Sequence, residues 1–246
     1  FKLMKKKILE NIKTLFYALI IALIIRSFIF QPFYIPSSSM EPNLLVGDRI
    51  FVTKMTYGYS RHSFPFSLGF SNKRLFFSEP KRGDVVVFKT PADNRTDYIK
   101  RVIGMPGDLI QFIDGDLYIN NNQVLKTKIK NKSFEIFCGD DKINVTAYEE
   151  KLPNGESYIA VYRNDATFKN SDKYFVPNNH YFFLGDNRDC SKDSRFLTNV
   201  GYVHSTNLVG KARIIFFSND NKSKSLLNFW KLPKTIRLDR FFSKIK

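Results

Sequence analysis

Three consecutive serines lie between two prolines in the segment IPSSSMEP, residues 35–42. A serine hydroxyl attacks a carbonyl carbon efficiently only when a nearby base removes its proton. The alternative interpretation is a flexible spacer, because the segment begins only five residues after an apolar run ends. If one of these serines is a nucleophile, the rest of the sequence has to supply the base.

Histidine is a poor candidate for that base. His62, His180 and His204 are isolated from one another in the sequence, and none lies in a polar or glycine-flanked turn. The sequence also contains no G-x-S-x-G segment, the nucleophile elbow of many serine hydrolases. We therefore predict that the three histidines are structural.

Lys100 is the next candidate for the base, because it lies in an apolar run that is typical of a strand, residues 97–104. Alternation along a strand places Lys100 and Arg101 on opposite faces, so we expect one of the two cations to face the interior. A lysine with the ordinary pKa of ~10.4 is neutral in only about one molecule in 2,500 at pH 7, and it becomes a useful base only when apolar burial lowers that pKa. The alternative is a solvated lysine at a sheet edge.

A dense polar segment, GDNRDCSKDSR, occupies residues 185–195 directly after an apolar strand. Its aspartates and arginines can pair with one another, and Ser191 and Ser194 add hydroxyls. Taken alone, the segment is equally compatible with a salt-bridged surface loop and with a functional site.

In their order and spacing, these segments resemble one family, the bacterial type I signal peptidases. The resemblance implies a Ser-Lys serine endopeptidase that acts through an acyl-enzyme, without a cofactor, and removes N-terminal signal peptides from exported preproteins at Ala-x-Ala-like sites. The segments that carry it, behind an N-terminal apolar run, are PSSSMEPNLLVGD (36–48), KRGDVVVFK (81–89), DYIKRVIGMPGD (97–108), GDNRDCSKDSR (185–195) and NLVGKA (207–212).

The resemblance also implies roles for individual residues. Ser39 would be the nucleophile and Lys100 the general base. Ser37 would form the oxyanion hole together with the backbone N–H of Ser39. The remaining expected roles are orientation of the Lys100 amine by Ser191, support of that loop by Asp193 and Arg195, and packing near the base by Met40.

The segment expected to hold this site at a membrane is TLFYALIIALIIRSFIF, residues 14–30. Its 17 residues carry one charge, Arg26, and are just long enough to span ~30 Å of hydrocarbon as a helix. Lysines precede it, so the positive-inside rule predicts a single-pass inner-membrane protein with a cytoplasmic N-terminus and its catalytic body on the outer face. A cleaved secretory signal is the alternative, although no small-x-small site follows before the serines. Met4, followed by three lysines, looks like the natural start.

Beyond this anchor the sequence predicts a mainly β fold, an antiparallel catalytic core with an inserted smaller β subdomain. Short β-branched and aromatic runs are bounded by turn residues, and no long stretch with helical periodicity intervenes. The predicted strands are residues 47–54, 83–89, 97–104, 109–120, 157–163, 180–186 and 211–218. The predicted division is a basic tip and anchor (1–30), a core in two parts (31–120 and 180–225), the insert (121–179) and a basic aromatic tail (226–246).

The net charge of +16 indicates an anionic partner, either a membrane surface or nucleic acid. The tail interleaves aromatic residues with lysines and arginines, as an interfacial segment would. Export across a membrane favours the lipid bilayer, so we expect signal peptides and lipid as partners, no nucleic acid, and a monomer. A membrane-anchored basic β module that binds anionic surfaces and does no chemistry is the alternative class of function.

Cys138 and Cys190 are the only cysteines, and an exported domain is compatible with either a disulfide or two free thiols. Cys190 replaces an Asn that is common in the family, and Ser38 replaces a common Gly. Neither departure removes a catalytic group. No Cys/His cluster has the spacing of a metal site, so we expect no metal.

Overall fold

The computed structural model describes residues 2–63, 74–139, 141–164, 168–220 and 235–246. Within them, a single α-helix, α1 (Lys2–Phe28), precedes a mainly β body, which confirms the predicted fold class. Each of the seven predicted segments contains a strand. The strands are β1 (Phe30–Tyr34), β2 (Asp48–Thr53), β3 (Val85–Lys89), β4 (Asp97–Gly104), β5 (Leu109–Ile113), β6 (Asp116–Ile119), β7 (Asn122–Gln123), β8 (Leu125–Cys138), β9 (Asp141–Lys151), β10 (Ser157–Arg163), β11 (Tyr174–Phe175), β12 (His180–Leu184), β13 (Val203–His204), β14 (Leu208–Ser218) and β15 (Ser243–Lys244).

Helix α1 is long and apolar enough to cross a membrane, with a mean hydropathy of 2.0 over the 23 residues Lys6–Phe28. It joins β1 through one residue, Ile29, whose carbonyl accepts a hydrogen bond from the Lys54 backbone N–H at 3.2 Å. The Tyr59 hydroxyl donates to the Phe28 carbonyl at 2.8 Å. The helix is therefore connected to the body by a short, hydrogen-bonded joint and not by a flexible spacer.

The largest sheet among the described residues has the strand order β1-β2-β14-β3-β4-β12-β13, with β15 beside β14. Its central strand β3 is apolar on both faces. Val85 and Val87 pack with the cluster that includes Met40, whereas Val86 and Phe88 pack with a second cluster. The middle of the sheet is therefore covered on both sides.

Because both faces are covered, neighbouring cations on β4 are both buried. Lys100 is 4% exposed and Arg101 is 1% exposed. The prediction that only one of them faces the interior is wrong, since alternation separates buried from exposed residues only when one face of a sheet meets solvent.

The insert contains more strand than the sequence indicated. Strands β8 and β9 form a long hairpin, and β10 pairs with β9, so that this sheet has the order β10-β9-β8. A further sheet has the order β11-β5-β6-β7 and joins β7 and β11 of the insert to β5 and β6 of the core. In β9, buried residues such as Val145 and Ala147 alternate in part with exposed polar residues. Exposed lysines on β8 and β9, together with exposed Asn144, dilute the apolar signal, which is why the sequence did not predict these strands. The domain boundaries themselves remain predictions.

A buried ion pair joins the insert to the polar segment 185–195. Arg188 donates from Nη1 and Nη2 to the two carboxylate oxygens of Glu150, at 2.9 and 2.6 Å. Tyr158 donates to the same carboxylate at 2.7 Å, and Tyr162 also donates to it. Burial alone would raise the pKa of Glu150, but Arg188 and these hydrogen bonds lower it below its ordinary value. Glu150 is therefore a charged anchor inside the protein.

The described part of the predicted tail, residues 235–246, packs against the body. Strand β15 pairs with β14, and Ile245 packs against the cluster that contains Met40. Arg240 Nη2 donates to the buried carboxylate of Asp48 at 2.6 Å. Two of the basic side chains, Arg237 and Arg240, are therefore used for internal pairing, whereas Lys244 and Lys246 are exposed. The interfacial tail stays a prediction. Of the four aromatic residues on which that prediction depended, Phe229 and Trp230 lie outside the described residues, and Phe242 is 74% exposed. Phe241 packs against Phe217, with ring centroids 5.3 Å apart.

We expect Glu150→Ala to lower the free energy of unfolding by about 3 to 5 kcal/mol, because it leaves Arg188 buried without its counter-ion. Urea unfolding in detergent measures the change. Glu149→Ala, at the exposed neighbour on the same strand, is the matched control and should change the free energy by less than about 0.5 kcal/mol. Similar small changes in both variants would contradict the anchoring role.

Candidate active site

Ser39 lies in a single 3-10 turn, Ser38–Met40, between β1 and β2. Met40 is fully buried in the core, which fixes one side of the turn. Asn187 fixes the other side, because its backbone N–H donates to the Ser39 carbonyl at 3.1 Å and its Nδ2 donates to the Ser38 carbonyl at 3.1 Å. The serine-rich segment is therefore a rigid turn held by the polar segment 185–195.

Lys100 reaches this turn from β4. Its Nζ lies 2.7 Å from Ser39 Oγ and 3.0 Å from the Ile99 carbonyl oxygen. Burial lowers the pKa of Lys100 from 10.5 to about 8; Asp193 and Asp186 act in the opposite direction, and Arg195 adds to the lowering. Near pH 8 a large fraction of the molecules therefore carries a neutral amine next to the serine hydroxyl, which is the arrangement that proton transfer requires.

Ser37 is exposed, with its Oγ 3.3 Å from Ser39 Oγ. A hydroxyl in this position can donate to an oxyanion that forms on a carbonyl attacked by Ser39. The turn thus brings together the two serines for which chemical roles were predicted.

Asp193 and Arg195 form a buried pair in the segment 185–195. Arg195 Nε and Nη2 donate to the two oxygens of Asp193 at 2.8 and 2.9 Å, and the Gly185 N–H donates to Asp193 Oδ2 at 3.0 Å. Burial would raise the pKa of Asp193, but the Arg195 guanidinium and these hydrogen bonds lower it. The pair closes the loop that carries Ser191.

Ser191 departs from its expected contact. Its Oγ is buried and has no hydrogen-bond partner of normal geometry among the described residues, so the expected hydrogen bond to the Lys100 amine is absent. The hydroxyl lies near enough to Asp193 to contribute to the lowered pKa of that carboxyl. Ile99, next to Lys100 on β4, packs against the cluster that contains Met40, and direct packing of Met40 near Lys100 stays a prediction.

Sequence reasoning missed three supporting residues in and beside this loop. Asn187 holds the Ser38–Met40 turn, and Asp186 binds Arg101 through two hydrogen bonds of 2.7 Å. Gly185 allows close packing, because a Cβ there would lie 2.5 Å from the Ser39 carbonyl oxygen and 2.2 Å from Ser191 Oγ. The motif GDNR contains all three residues, but a polar motif does not indicate which element each side chain contacts.

A cleft opens beside the two serines and Lys100. Its lining includes residues 36–39 at the serine-rich turn, 96–100 at β4, 135–139 at the end of the β8–β9 hairpin, and 189–192. Cys138 and Cys190 form a disulfide at this cleft, which decides between the two alternatives that the sequence left open.

The histidines lie elsewhere and do not line the cleft. His180 and His204, although far apart in the sequence, face each other across β12 and β13 with ring centroids 4.9 Å apart. His204 Nδ1 accepts from the Thr206 N–H and caps the following turn. In the described part of the chain, no group of three or more His, Cys, Asp or Glu residues is arranged to hold a metal ion.

The chain is similar to known proteins over nearly its whole length. The sequence model of the family described as signal peptidase, peptidase S26, matches residues 8–217. The chain is 38% identical to signal peptidase I of Rickettsia typhi over 98% of this chain and 95% of that protein. It is 41% identical to signal peptidase I of Rickettsia akari over 87% of this chain and 79% of that protein.

A solved structure of a signal peptidase I from Enterococcus faecalis is 24% identical, with a TM-score of 0.31, and the match covers 55% of this chain and 97% of that one. The family match and the Rickettsia relatives together identify the chain: it belongs to the signal peptidase family, peptidase S26, and is a serine peptidase.

Proposed function

We propose that this protein is a membrane-anchored serine endopeptidase that removes N-terminal signal peptides from exported preproteins at small-x-small sites. The observation that carries the proposal is the buried Lys100 amine 2.7 Å from Ser39 Oγ, beside an open cleft. Membership of the signal peptidase family supports the reaction class.

In this mechanism Ser39 Oγ attacks the scissile carbonyl while its proton passes to neutral Lys100. Collapse of the tetrahedral intermediate expels the amine, which takes the proton from Lys100, and leaves an acyl-enzyme on Ser39. Lys100 then takes a proton from water, the hydroxide attacks the ester, and Ser39 regains its proton. A positioned base of this kind contributes about 10² to 10⁴ in rate.

The oxyanion of each intermediate is bound by the Ser37 hydroxyl and the Ser39 backbone N–H. Donors of this kind contribute roughly 3 to 4 kcal/mol each to the transition state. Ser191 has a supporting role in this proposal, because its unpaired buried hydroxyl is available to the Lys100 amine once that amine turns away from Ser39.

The substrate binds as an extended strand along β4. Strand β12 pairs with β4 only from Arg101 onward, so residues 97–100 have β3 on one side and no strand partner among the described residues on the other. An extended peptide can add to such an edge through main-chain hydrogen bonds, while shallow pockets select alternate side chains. Steric exclusion of larger side chains gives the small-x-small preference.

Helix α1 keeps this cleft close to the bilayer. The nine residues from Phe30 to Ser39 reach at most about 30 Å, so the nucleophile lies near the end of a membrane-embedded apolar segment. The basic residues ahead of α1 favour a cytoplasmic N-terminus and a body on the outer face. A signal peptide embedded in the same membrane presents its cleavage site at this height.

We expect Ser39→Ala to abolish cleavage of a detergent-solubilised preprotein and Lys100→Ala to lower kcat by about 10² to 10⁴. Lys128→Ala, at an exposed lysine outside the cleft, is the control and should cleave at the wild-type rate. Cleavage at that rate by either dyad variant would reject the assignment. A wild-type protein that binds anionic vesicles and cleaves no preprotein would favour the binding module.

The pH dependence should follow Lys100, whose pKa is lowered to about 8. Because the amine must be neutral to act as the base, we expect kcat/KM to fall about tenfold per pH unit below pH 8 and to level off above it. A pH profile of preprotein cleavage measures this. An acid limb centred near pH 6.5 would indicate a histidine in place of Lys100.

We expect Ser37→Ala to lower kcat by about 10² to 10³, since it removes one donor to the oxyanion. Its side chain is exposed, so the midpoint of thermal unfolding should stay close to that of the wild type. Steady-state kinetics and a melting curve of the same preparation separate the two effects. Unchanged turnover would exclude the oxyanion role.

A further inference from the structure

The disulfide joins two parts of the chain that the mechanism above does not connect. Cys138 is the last residue of β8, at the end of the long hairpin, and Cys190 immediately precedes Ser191. The two cysteines are 52 residues apart in sequence. The bond therefore links the insert covalently to the loop behind the catalytic lysine.

The same disulfide contacts the nucleophile turn. The Ser38 hydroxyl donates to Cys190 Sγ at 3.6 Å, and Ser38 is the residue next to Ser39. Three segments therefore meet at one sulfur pair: the nucleophile turn, the loop that carries Ser191, and the end of the hairpin.

The end of the hairpin also forms part of the cleft. Residues 135–139, which we call the hairpin tip, line it together with residues 96–100 of β4. The Phe137 side chain on this tip is 48% exposed. A peptide that pairs with the edge of β4 therefore lies within a cleft that has the hairpin tip as a second wall.

Among the described residues, the apolar cluster that contains the tip residue Ile136 is built from the insert itself. The apolar cluster of the insert extends to Ile136 and Ile143, which are 5% and 6% exposed. At the level of the tip, Lys142 and Glu135 form an ion pair, but both side chains are at least half exposed, and such pairs contribute little. The disulfide at Cys138 is a covalent link between the tip and the loop that carries Ser191.

We propose that the Cys138–Cys190 disulfide is a positioning element for cleavage, which holds the hairpin tip as the second wall of the substrate cleft, where Phe137 contacts the bound preprotein. This inference rests on the proposed peptidase function. It assigns Phe137 to peptide binding and the disulfide to the geometry of both the cleft and the loop behind Lys100.

Loss of the disulfide has a distinct effect on the catalytic base. The charged groups that face Lys100 are Asp193, Asp186 and Arg195, all in or beside the loop that Cys190 holds, and the Tyr98 ring lies 5.4 Å from Nζ. A looser loop lets water reach the Lys100 amine. The burial that lowers the pKa of Lys100 is then weaker, and this pKa rises. The acid limb of the pH profile should then move to higher pH, an effect that lost stability alone does not produce.

The first test compares the full-length wild type with the Cys138→Ser/Cys190→Ser double variant in preprotein cleavage. We expect kcat/KM of the variant to be lower by about tenfold to a hundredfold, because small misplacements of the reacting groups have effects of this size. We also expect the acid limb of its pH profile to lie at higher pH. Dithiothreitol should lower the activity of the wild type in the same way, since it donates two electrons and two protons to the disulfide and is itself oxidised to a cyclic disulfide. The double variant with dithiothreitol is the control for the reagent and should not change.

If the double variant does not fold, the wild type reduced with dithiothreitol replaces it in the test. Circular dichroism below the melting temperature then checks that the reduced wild type is still folded. A wild type that cleaves equally well with the disulfide intact and reduced, with an unshifted pH profile, would overturn this inference and leave the proposed function standing. A wild type that cleaves no preprotein would overturn both.

The second test concerns Phe137 with the disulfide intact. We expect Phe137→Ala to raise KM about tenfold with kcat nearly unchanged, as loss of an aromatic contact in binding does. Phe175→Ala is the matched control, because Phe175 is 63% exposed on β11 and does not line the cleft. An unchanged KM for Phe137→Ala, or an equal increase in both variants, would remove Phe137 from the binding site.

Discussion

In the proposed mechanism, Lys100 can act as the base for Ser39 only while its amine is kept away from water. Lowering its pKa from 10.5 to about 8 corresponds to roughly 3 kcal/mol against the charged form. That free energy comes from burial, and burial of β4 in turn requires apolar packing on both faces of the central sheet. The two-sided core is therefore a condition of the proposed chemistry as well as of stability.

Buried charges around the site would disturb this balance if they were unpaired. Asp193 and Asp186 each favour the protonated amine, but Arg195 and Arg101 bind these two carboxylates. Paired in this way, the carboxylates fix the loop geometry with a smaller effect on the amine. Buried ion pairs of this kind often add little net stability, which is consistent with a positioning role for them.

The sequence predicted the parts of this arrangement that depend on local pattern. Alternating apolar runs located seven strands, and hydropathy located α1. The serine turn, Lys100 and the polar loop were found because their residue types have chemical uses. Burial of both Lys100 and Arg101 was missed because it depends on what covers each face of the sheet. The unpaired Ser191 hydroxyl and the contacts of Asn187 depend on how one loop packs against another, and a single sequence does not encode those pairings locally.

The dependence of the nucleophile turn on Asn187 has a consequence for how the enzyme is made. Ser38 and Asn187 are 149 residues apart, and Ser39 and Lys100 are 61 apart. Contacts of such long sequence separation form slowly, because loop closure must precede them. A partly folded chain therefore has a serine and a lysine but no working pair of them. We expect the protein to become active only at the end of folding, so that the incomplete chain is protected from its own chemistry.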